Sequence, residues 1–462
     1  MEKRAISVVD SGRSPLSTIL WLSWPVFIEQ ILVALVQSVD TAMVGSLGAG
    51  ATAAVSISQS PMMLINGVIM ALGVGFTALI ARCVGAGESE RARELVRQSI
   101  TTVVALGLPI AVLCYALARK IPTWMGAAPD ILDTATVYNQ ILAYSMMFRG
   151  LSMVLTAIYR GYGDTKTPMY INIGVNLVNV VGNYLLIYET RQITLFGASF
   201  TMFGAGWGVA GAAVSTSASA ILGALILLVL TFVRKSPMRI SLKENFRPNW
   251  EELAQVGRIS LPAMFERFTM SGASVVVAST VAYLGTIAVA ANSLSATAEA
   301  ICFMPGFAFG TAATTLVGQS LGAKRPDLAQ EYVRLSCRVG GIVMAVLSCM
   351  LFLFSNSIIG LFTPDAQVIA MGGVLLKILA VIQVPQVWAL IFSGALRGAG
   401  DTTGPFIITL ISMWGVRIVG AVVSVRLLHL GLTAVCVSMC ADNVVRCVLF
   451  YLRYRKGNWK NA

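Results

Sequence analysis

Arg160-Gly161-Tyr162-Gly163-Asp164-Thr165 returns 237 residues further on as Arg397-Gly398-Ala399-Gly400-Asp401-Thr402. The same spacing carries Pro25 and Glu29 onto Pro262 and Glu266, Leu47-Gly48 onto Leu284-Gly285, Gly85-Ala86 onto Gly322-Ala323, and Val96-Arg97 onto Val333-Arg334. One constant offset along most of each half means two copies of a single unit, with the same turns and charges fixed at matching places.

The solvent around these copies is lipid. Apolar residues make up 56% of the 462, charged residues only 12%, and the mean hydropathy is +0.78. A soluble chain would carry about twice that charged fraction. Stretches of about 20 apolar residues, the length a helix needs to cross hydrocarbon, start near Ser17, Thr52, Val96, Ala135, Pro168, Gly204, Val256, Thr286, Ser336, Met371, Pro405 and Leu430. Backbone groups cannot stay unpaired in lipid, so the stretches must be helical. The period-2 alternation of a membrane barrel is absent.

The pattern predicts an all-α integral membrane protein of about twelve transmembrane helices. It divides into a six-helix bundle over 1–235, a basic connector over 236–254 and a second six-helix bundle over 255–462. With an even number of spans in each, both bundles enter the membrane in the same sense. Their pseudo-two-fold axis then stands along the membrane normal, and a solute path is expected between them.

The net charge of +12 is not spread evenly. Lys3, Arg4 and Arg13 precede the first span, Arg82, Arg91, Arg93 and Arg97 follow the second, and Arg160 and Lys166 follow the fourth. Arg234, Lys235, Arg239, Lys243, Arg247 and Arg258 crowd the connector, which also holds Pro237 and Pro248. Lys324, Arg325, Arg334, Arg338, Arg397, Arg453, Arg455, Lys456 and Lys460 continue the series, while the opposite loops hold only Arg119, Lys120, Arg191 and Arg426. This asymmetry obeys the positive-inside rule and predicts a multi-pass protein of the cell (inner or plasma) membrane with both termini cytoplasmic. It argues against a nucleic-acid partner. The first apolar stretch carries Glu29 and Asp40 and lacks a small-residue cleavage site, so it reads as a retained helix. The eight cysteines form no CxxC pair and no Cys/His cluster, and they read as reduced packing residues. No nucleophile triad, paired catalytic acids or cofactor motif is visible, so an enzyme is not expected.

The repeated Arg-Gly-x-Gly-Asp-Thr reads as a tight turn whose aspartate and threonine can cap the next helix. No strand precedes it, and the Gly-Lys-Ser/Thr of a phosphate loop is missing. Gly85-Ala86-Gly87 and Gly322-Ala323-Lys324 are each followed by a polar, amphipathic run, read here as a short surface helix on the cytoplasmic side.

Intramembrane acids are costly and tend to mark ion or solute paths. Asp40 stands in the outer part of the first helix, on one face with Glu29, Val33 and Gln37. It is either a carboxylate that takes up and releases a cation or a helix-end charge reaching interfacial water. Glu266 stands near the middle of helix seven, either as a cation-binding carboxylate or in an ion pair with Arg267 or Arg417. Helix five carries Asn172, Asn176, Asn179 and Asn183 on one stripe. They are either glue between helices or, for Asn179 and Asn183, partners of Asp40 in a site for sodium or a proton. Helix ten offers Gln383, Gln386 and Trp388, with Pro385 able to kink it. Trp388 is a stacking wall for a flat cation or a packing residue.

On Trp24-Pro25, Gln37-Ser38-Val39-Asp40-Thr41-Ala42-Met43-Val44-Gly45, the two Arg-Gly-x-Gly-Asp-Thr loops, the asparagine-rich helix five and Pro262 with Glu266, the chain resembles the multidrug and toxic compound extrusion (MATE) family over nearly its full length. The resemblance implies a secondary antiporter that exports lipophilic organic cations in exchange for H+ or Na+ by alternating access. It implies no cofactor beyond that coupling ion and no resident metal, with sodium at Asp40, Asn179 and Asn183 as one option. Cation coupling would fall to Asp40, Glu266, Asn179 and Asn183. Cargo binding would fall to Gln37, Asn176, Glu29, Gln386 and Trp388. Small organic cations and the bilayer are the expected partners, and a monomer is expected to function.

Two positions depart from the family's pattern. Members of the NorM type usually carry an aspartate in helix ten, where Gln386 follows Pro385. Members of the DinF type often carry one where Asn183 stands. The whole looks closer to the NorM type. A flippase for lipid-linked or amphiphilic molecules is the alternative on the same architecture, favoured by a cavity rich in Lys and Arg. The membrane interior offers few of these, chiefly Arg149, Arg267, Lys377 and Arg417.

Overall fold

The structure is a computed structural model that describes residues 7–461 except 11, 196, 197, 235, 237 and 242. Lys3, Arg4, Lys235 and Pro237 lie outside the described residues.

Long helices follow one another as α1 (Pro15–Gly45), α2 (Ala49–Ala86), α3 (Ser89–Ala116), α4 (Pro129–Tyr162), α5 (Lys166–Ile187) and α6 (Gly208–Val233) in the first half. The second half holds α7 (Trp250–Ala282), α8 (Thr286–Gly322), α9 (Pro326–Leu353), α10 in two pieces (Ala366–Val381 and Gln383–Gly398), α11 (Thr403–Leu427) and α12 (Leu432–Arg455). Ten of them are long and apolar enough to cross a membrane alone, and α10 joins them if its pieces, bent by 51°, count as one span. The bend falls just before Pro385, which has no N–H to give the preceding turn and crowds its carbonyl. α7 is as long, at 33 residues, but carries Glu251, Glu252, Arg258, Glu266 and Arg267. Neighbouring helices neutralise two of these acids: Arg91 Nε donates to Glu252 at 2.7 Å, and Arg397 donates to Glu266.

One local reading needs correction, and one loop holds structure that the sequence reading did not assign. The polar runs after Gly87 and Lys324 are not separate surface helices; they are the opening turns of α3 and α9. The chain reverses once, at Gly87 (φ +75°) and Lys324 (φ +56°), and nothing afterwards breaks the helix. The loop between α5 and α6 is a β-hairpin, β1 (Glu189–Leu195) against β2 (Ala198–Ala205), with Gln192 opposite Thr201. Its β-branched composition, Thr190, Ile193 and Thr194, favours strands once the apolar span has ended.

Each half has its own core. Phe76, Ile80, Leu95, Leu155, Ile158 and Leu227 build the first; Phe309, Leu316, Val333, Ile391, Leu396 and Phe450 build the second. The halves also exchange residues. Ile19 and Leu22 of α1 enter the second core, and their repeat mates Val256 and Ile259 of α7 enter the first. This exchange lies at the end of the molecule where the arginine-rich loops gather, the basic end.

There α2 and α8 cross at contact distance. A Cβ on Gly85 would lie 2.0 Å from the Gln319 carbonyl oxygen, and one on its mate Gly322 would lie 2.1 Å from the Arg82 carbonyl oxygen. The side chains repeat the symmetry. Arg82 donates to the Ala399 carbonyl, and its mate Gln319 donates to the Gly161 carbonyl at 3.0 Å. Gln319 Oε1 accepts from Ser7 Oγ and Val8 N, both at 3.0 Å, tying the N-terminal segment over the crossing. Ion pairing of Arg97 with Glu244 and the Asn249–Glu94 hydrogen bond of 2.6 Å pin the connector to α3. Toward the opposite end α1 and α7 leave side chains uncovered by protein. Gln37, Ser38 and Val39 of α1 and Val275 of α7 are exposed.

Candidate functional site

The repeated loops explain the two glutamates. In each loop the first glycine lets helices touch: a Cβ on Gly161 would lie 3.0 Å from the Thr77 carbonyl oxygen, and one on Gly398 would lie 2.2 Å from that of Thr314. The second glycine takes a positive φ, +88° at Gly163 and +78° at Gly400, which a side chain would oppose. Asp164 and Asp401 accept from the backbone N–H of Thr167 and Gly404, each at 3.0 Å, and cap the following helix. The arginine of each loop turns back into its own bundle. Arg160 donates to Glu29 at 2.6 Å, and Asn172 donates to the other oxygen at 2.5 Å. Arg397 Nη2 donates to both oxygens of Glu266 at 2.8 Å, and Thr409, the mate of Asn172, donates at 3.2 Å. Glu266 therefore meets neither Arg267 nor Arg417, the two partners weighed from sequence, but an arginine 131 residues away.

Both pairs are buried, with Glu29 7% and Glu266 5% exposed in their side chains. Removing one member of a buried pair leaves an uncompensated charge, which costs about 3–5 kcal/mol. Glu266→Gln is expected to lower the thermal midpoint of the detergent-solubilised protein. The double variant Glu266→Ala with Arg397→Ala should recover part of that loss. A single variant as stable as the parent would show that the pair does not hold α7 to α10.

Asp40 has different company. Asn183 Nδ2 of α5 donates to Asp40 Oδ1 of α1 at 2.5 Å. Asn179, one turn before Asn183, turns to α6, where its Nδ2 donates to Thr216 Oγ1 at 3.4 Å. The Oδ1 atoms of Asn179 and Asn183 are buried without a hydrogen-bond partner, as is Nδ2 of Asn176. Asp40 and Asn183 thus meet across the α1–α5 seam, and α5 also carries two buried amide oxygens with spare lone pairs, on Asn179 and Asn183. Such an oxygen-only set suits a hard monovalent cation, and the carboxylate alone suits a proton. The second half does not repeat it. Val277, Met413, Val416 and Gly420 stand 237 residues beyond Asp40, Asn176, Asn179 and Asn183.

The remaining sequence candidates are dispersed. Gln37 is exposed on the open half of α1. Gln386 donates to Glu299 of α8 at 3.3 Å. Trp388 gives its indole N–H to the Cys337 carbonyl of α9 at 2.9 Å, and so is held between two helices of one bundle.

Sequence reasoning missed two acids. Glu299 sits in the apolar run of α8. Asp442 of α12 is fully buried and accepts from Arg417 at 2.9 Å and Arg446 at 2.5 Å. Arg417 falls in a π-helical stretch, Ile411–Ile418, a local widening often found where function bends a helix. The signal that could have found both is the one that found Asp40: an ionisable residue inside an apolar span.

A sequence profile described as MatE matches residues 25–185 and 262–423, two segments separated by the repeat offset. The chain is 28% identical over 438 residues to a Bacillus subtilis protein named uncharacterized transporter YisQ, covering 95% of this chain and 94% of that one. It is 29% identical to the probable multidrug resistance protein NorM of Thermotoga maritima, over 95% and 92% of the two chains. To the multidrug resistance protein MdtK of Edwardsiella ictaluri it is 30% identical, over 86% and 85%. Among solved structures, an outward-facing multidrug resistance MATE transporter of the MOP superfamily shares the fold over both full chains, with a TM-score of 0.90 at 23% identity. A MOP superfamily transporter from Pyrococcus furiosus shares it with a TM-score of 0.89 at 24% identity, again over both full chains.

Proposed function

The chain belongs to the MATE family of membrane transporters, and from that premise we propose a secondary antiporter that exports lipophilic organic cations in exchange for H+ or Na+. The observation that carries this reading is the Asp40–Asn183 contact, on a helix that also carries two buried unpartnered amide oxygens, in the first half and without a repeat mate in the second. Symmetric features such as Glu29–Arg160 and Glu266–Arg397 serve the fold of both halves. Among the described residues the asymmetric carboxylate makes no ion pair with an arginine, and it can change its occupant.

Coupling follows from competition. A cation or proton on Asp40 removes the negative charge that would hold a cationic cargo, so each ligand lowers the other's affinity by the same factor. The coupling ion reaches Asp40 from the end opposite the basic loops, releases cargo there, and lets the halves rock about the pseudo-two-fold axis. Glu299 with Gln386 is the matching candidate in the second half. In the cell the basic end faces the cytoplasm, by the charge asymmetry of the loops.

The test is dye export from proteoliposomes under an imposed pH gradient or an imposed sodium gradient, each applied alone. At least one gradient is expected to drive uphill movement. If neither does, while dye merely equilibrates, the protein is a passive pathway and the antiport reading fails.

A further inference from the structure

At the basic end, where α1 and α5 begin, two cations converge. The guanidinium carbon of Arg13 lies 4.4 Å from the centroid of the Trp21 ring. Lys166, the first residue of α5, brings its Nζ to 5.5 Å from the ring centroids of both Trp21 and Trp24 of α1. The two side chains therefore meet at one indole. Among the described residues neither side chain forms a hydrogen bond or an ion pair. Asp164, the acid nearest Lys166 in the chain, is already engaged: it accepts from Arg234 at 2.9 Å and caps α5 through Thr167. Both helices start at this corner, so their positive dipole ends add to the field.

Toward the middle of each helix the surface turns apolar. Leu16, Leu20 and Trp24 are exposed one turn apart on α1, and Tyr170, Ile173 and Leu177 are exposed on one stripe of α5 that continues from Lys166. The halves are packed together at this end, so exposed side chains here face outward. The second copy does not repeat the arrangement. Trp250, Arg258, Leu261 and Thr403 stand 237 residues beyond Arg13, Trp21, Trp24 and Lys166. Packing of the repeated unit therefore does not demand it.

Like charges held together repel, and an anion between them removes that cost. Contact with the indole faces holds the two cationic groups in place without neutralising them. A guanidinium offers a phosphate two parallel hydrogen bonds, and an ammonium adds a point charge. Trp and Tyr rings settle at the headgroup level of a bilayer. We propose that this α1–α5 corner is a binding site for an anionic phospholipid, with its phosphate between Arg13 and Lys166 and an acyl chain along Leu20, Trp24 and Tyr170. Two cations without an acid select the anionic headgroup, and the apolar stripes select a lipid over a water-soluble phosphate. The site lies at the other end of α1 from Asp40 and does not depend on the transport reading.

Native mass spectrometry of the delipidated protein counts bound lipid as dioleoyl phosphatidylglycerol or dioleoyl phosphatidylcholine is added. The two lipids share acyl chains and a phosphate and differ in net headgroup charge. Wild-type protein is expected to bind its first phosphatidylglycerol roughly tenfold more tightly than phosphatidylcholine. Arg13→Gln and Lys166→Gln should each weaken phosphatidylglycerol binding roughly fivefold, as about 1 kcal/mol per basic residue implies, and leave phosphatidylcholine binding unchanged. Lys166→Arg keeps the charge and should keep the affinity. Arg455→Gln removes an exposed arginine at the same end and should change it less than about twofold. Equal affinity of the wild-type protein for the two lipids overturns the proposal. So does a loss in Arg455→Gln as large as in Arg13→Gln, which would mean diffuse attraction to the basic end. Equal loss of both lipids in the glutamine variants overturns it too, because the residues then do not select the anion. Displacement of phosphatidylglycerol by excess inorganic phosphate would assign the cations to a water-soluble anion instead.

Discussion

Asp40→Asn is expected to lower gradient-driven dye export roughly tenfold or more, the factor for losing a hydrogen-bonded charge of about 1.5–3 kcal/mol. The substitution keeps the size of the side chain and can keep a hydrogen bond to Asn183. It removes only the charge that coupling ion and cargo would contest in the proposed antiport. The amount of protein in the membrane and its thermal midpoint should stay close to wild type, because among the described residues no arginine pairs with Asp40. Asp40 and Glu266 thus predict opposite signatures: loss of transport without loss of stability at Asp40, and loss of stability at Glu266. Full export by the Asp40→Asn protein would remove Asp40 from the coupling mechanism.

The second large effect is expected at the crossing of α2 and α8. Gly85→Val or Gly322→Val places a side chain where a Cβ alone already falls 2.0 or 2.1 Å from a carbonyl oxygen of the other half. That oxygen belongs to helical backbone and cannot swing aside, so the two helices must separate. Overpacking of this kind costs about 1–3 kcal/mol or more. Nearly all of that cost falls on the state in which the basic end is closed, so the population shifts toward a state open at that end.

Cys83 reports the shift without a foreign label site. It is buried, 4% exposed, two residues before Gly85. In a protein whose remaining cysteines are serine, a membrane-impermeant maleimide applied from the basic side should modify Cys83 roughly tenfold faster in Gly85→Val, as about 1.4 kcal/mol implies. Transport should fall in parallel, because a transporter that cannot close one end cannot alternate. Unchanged labelling together with intact export would mean that the crossing does not gate the path. Gly415, which has open space around its Cβ position, provides a control in Gly415→Ala.

Much of this was legible in the chain itself. The 237-residue offset runs through the loops, the helix-opening prolines and the crossing glycines, because both copies solve the same packing problem with the same residues. Hydropathy placed the spans, and the charge asymmetry marked the basic end. The asparagine stripe and Asp40 could be set facing each other because helical periodicity gives a side chain's direction and topology gives its depth. The hairpin after α5 and the unbroken starts of α3 and α9 were less legible, since short polar stretches carry weak periodicity.

The sequence by itself determined that this protein is a duplicated helical bundle in lipid, and it marked most of the polar groups that lipid must not touch. Only the tertiary structure decided which of those groups neutralise one another. Arg160 and Arg397 reach Glu29 and Glu266 across 131 residues of chain, and Arg417 goes to Asp442. Periodicity assigns a side chain to a face of its helix, but the neighbour on that face is set by how the helices cross. Those crossings are fixed by glycine contacts between segments far apart in sequence, which is why the free charges, and with them the chemistry of the path, emerge only in the folded bundle.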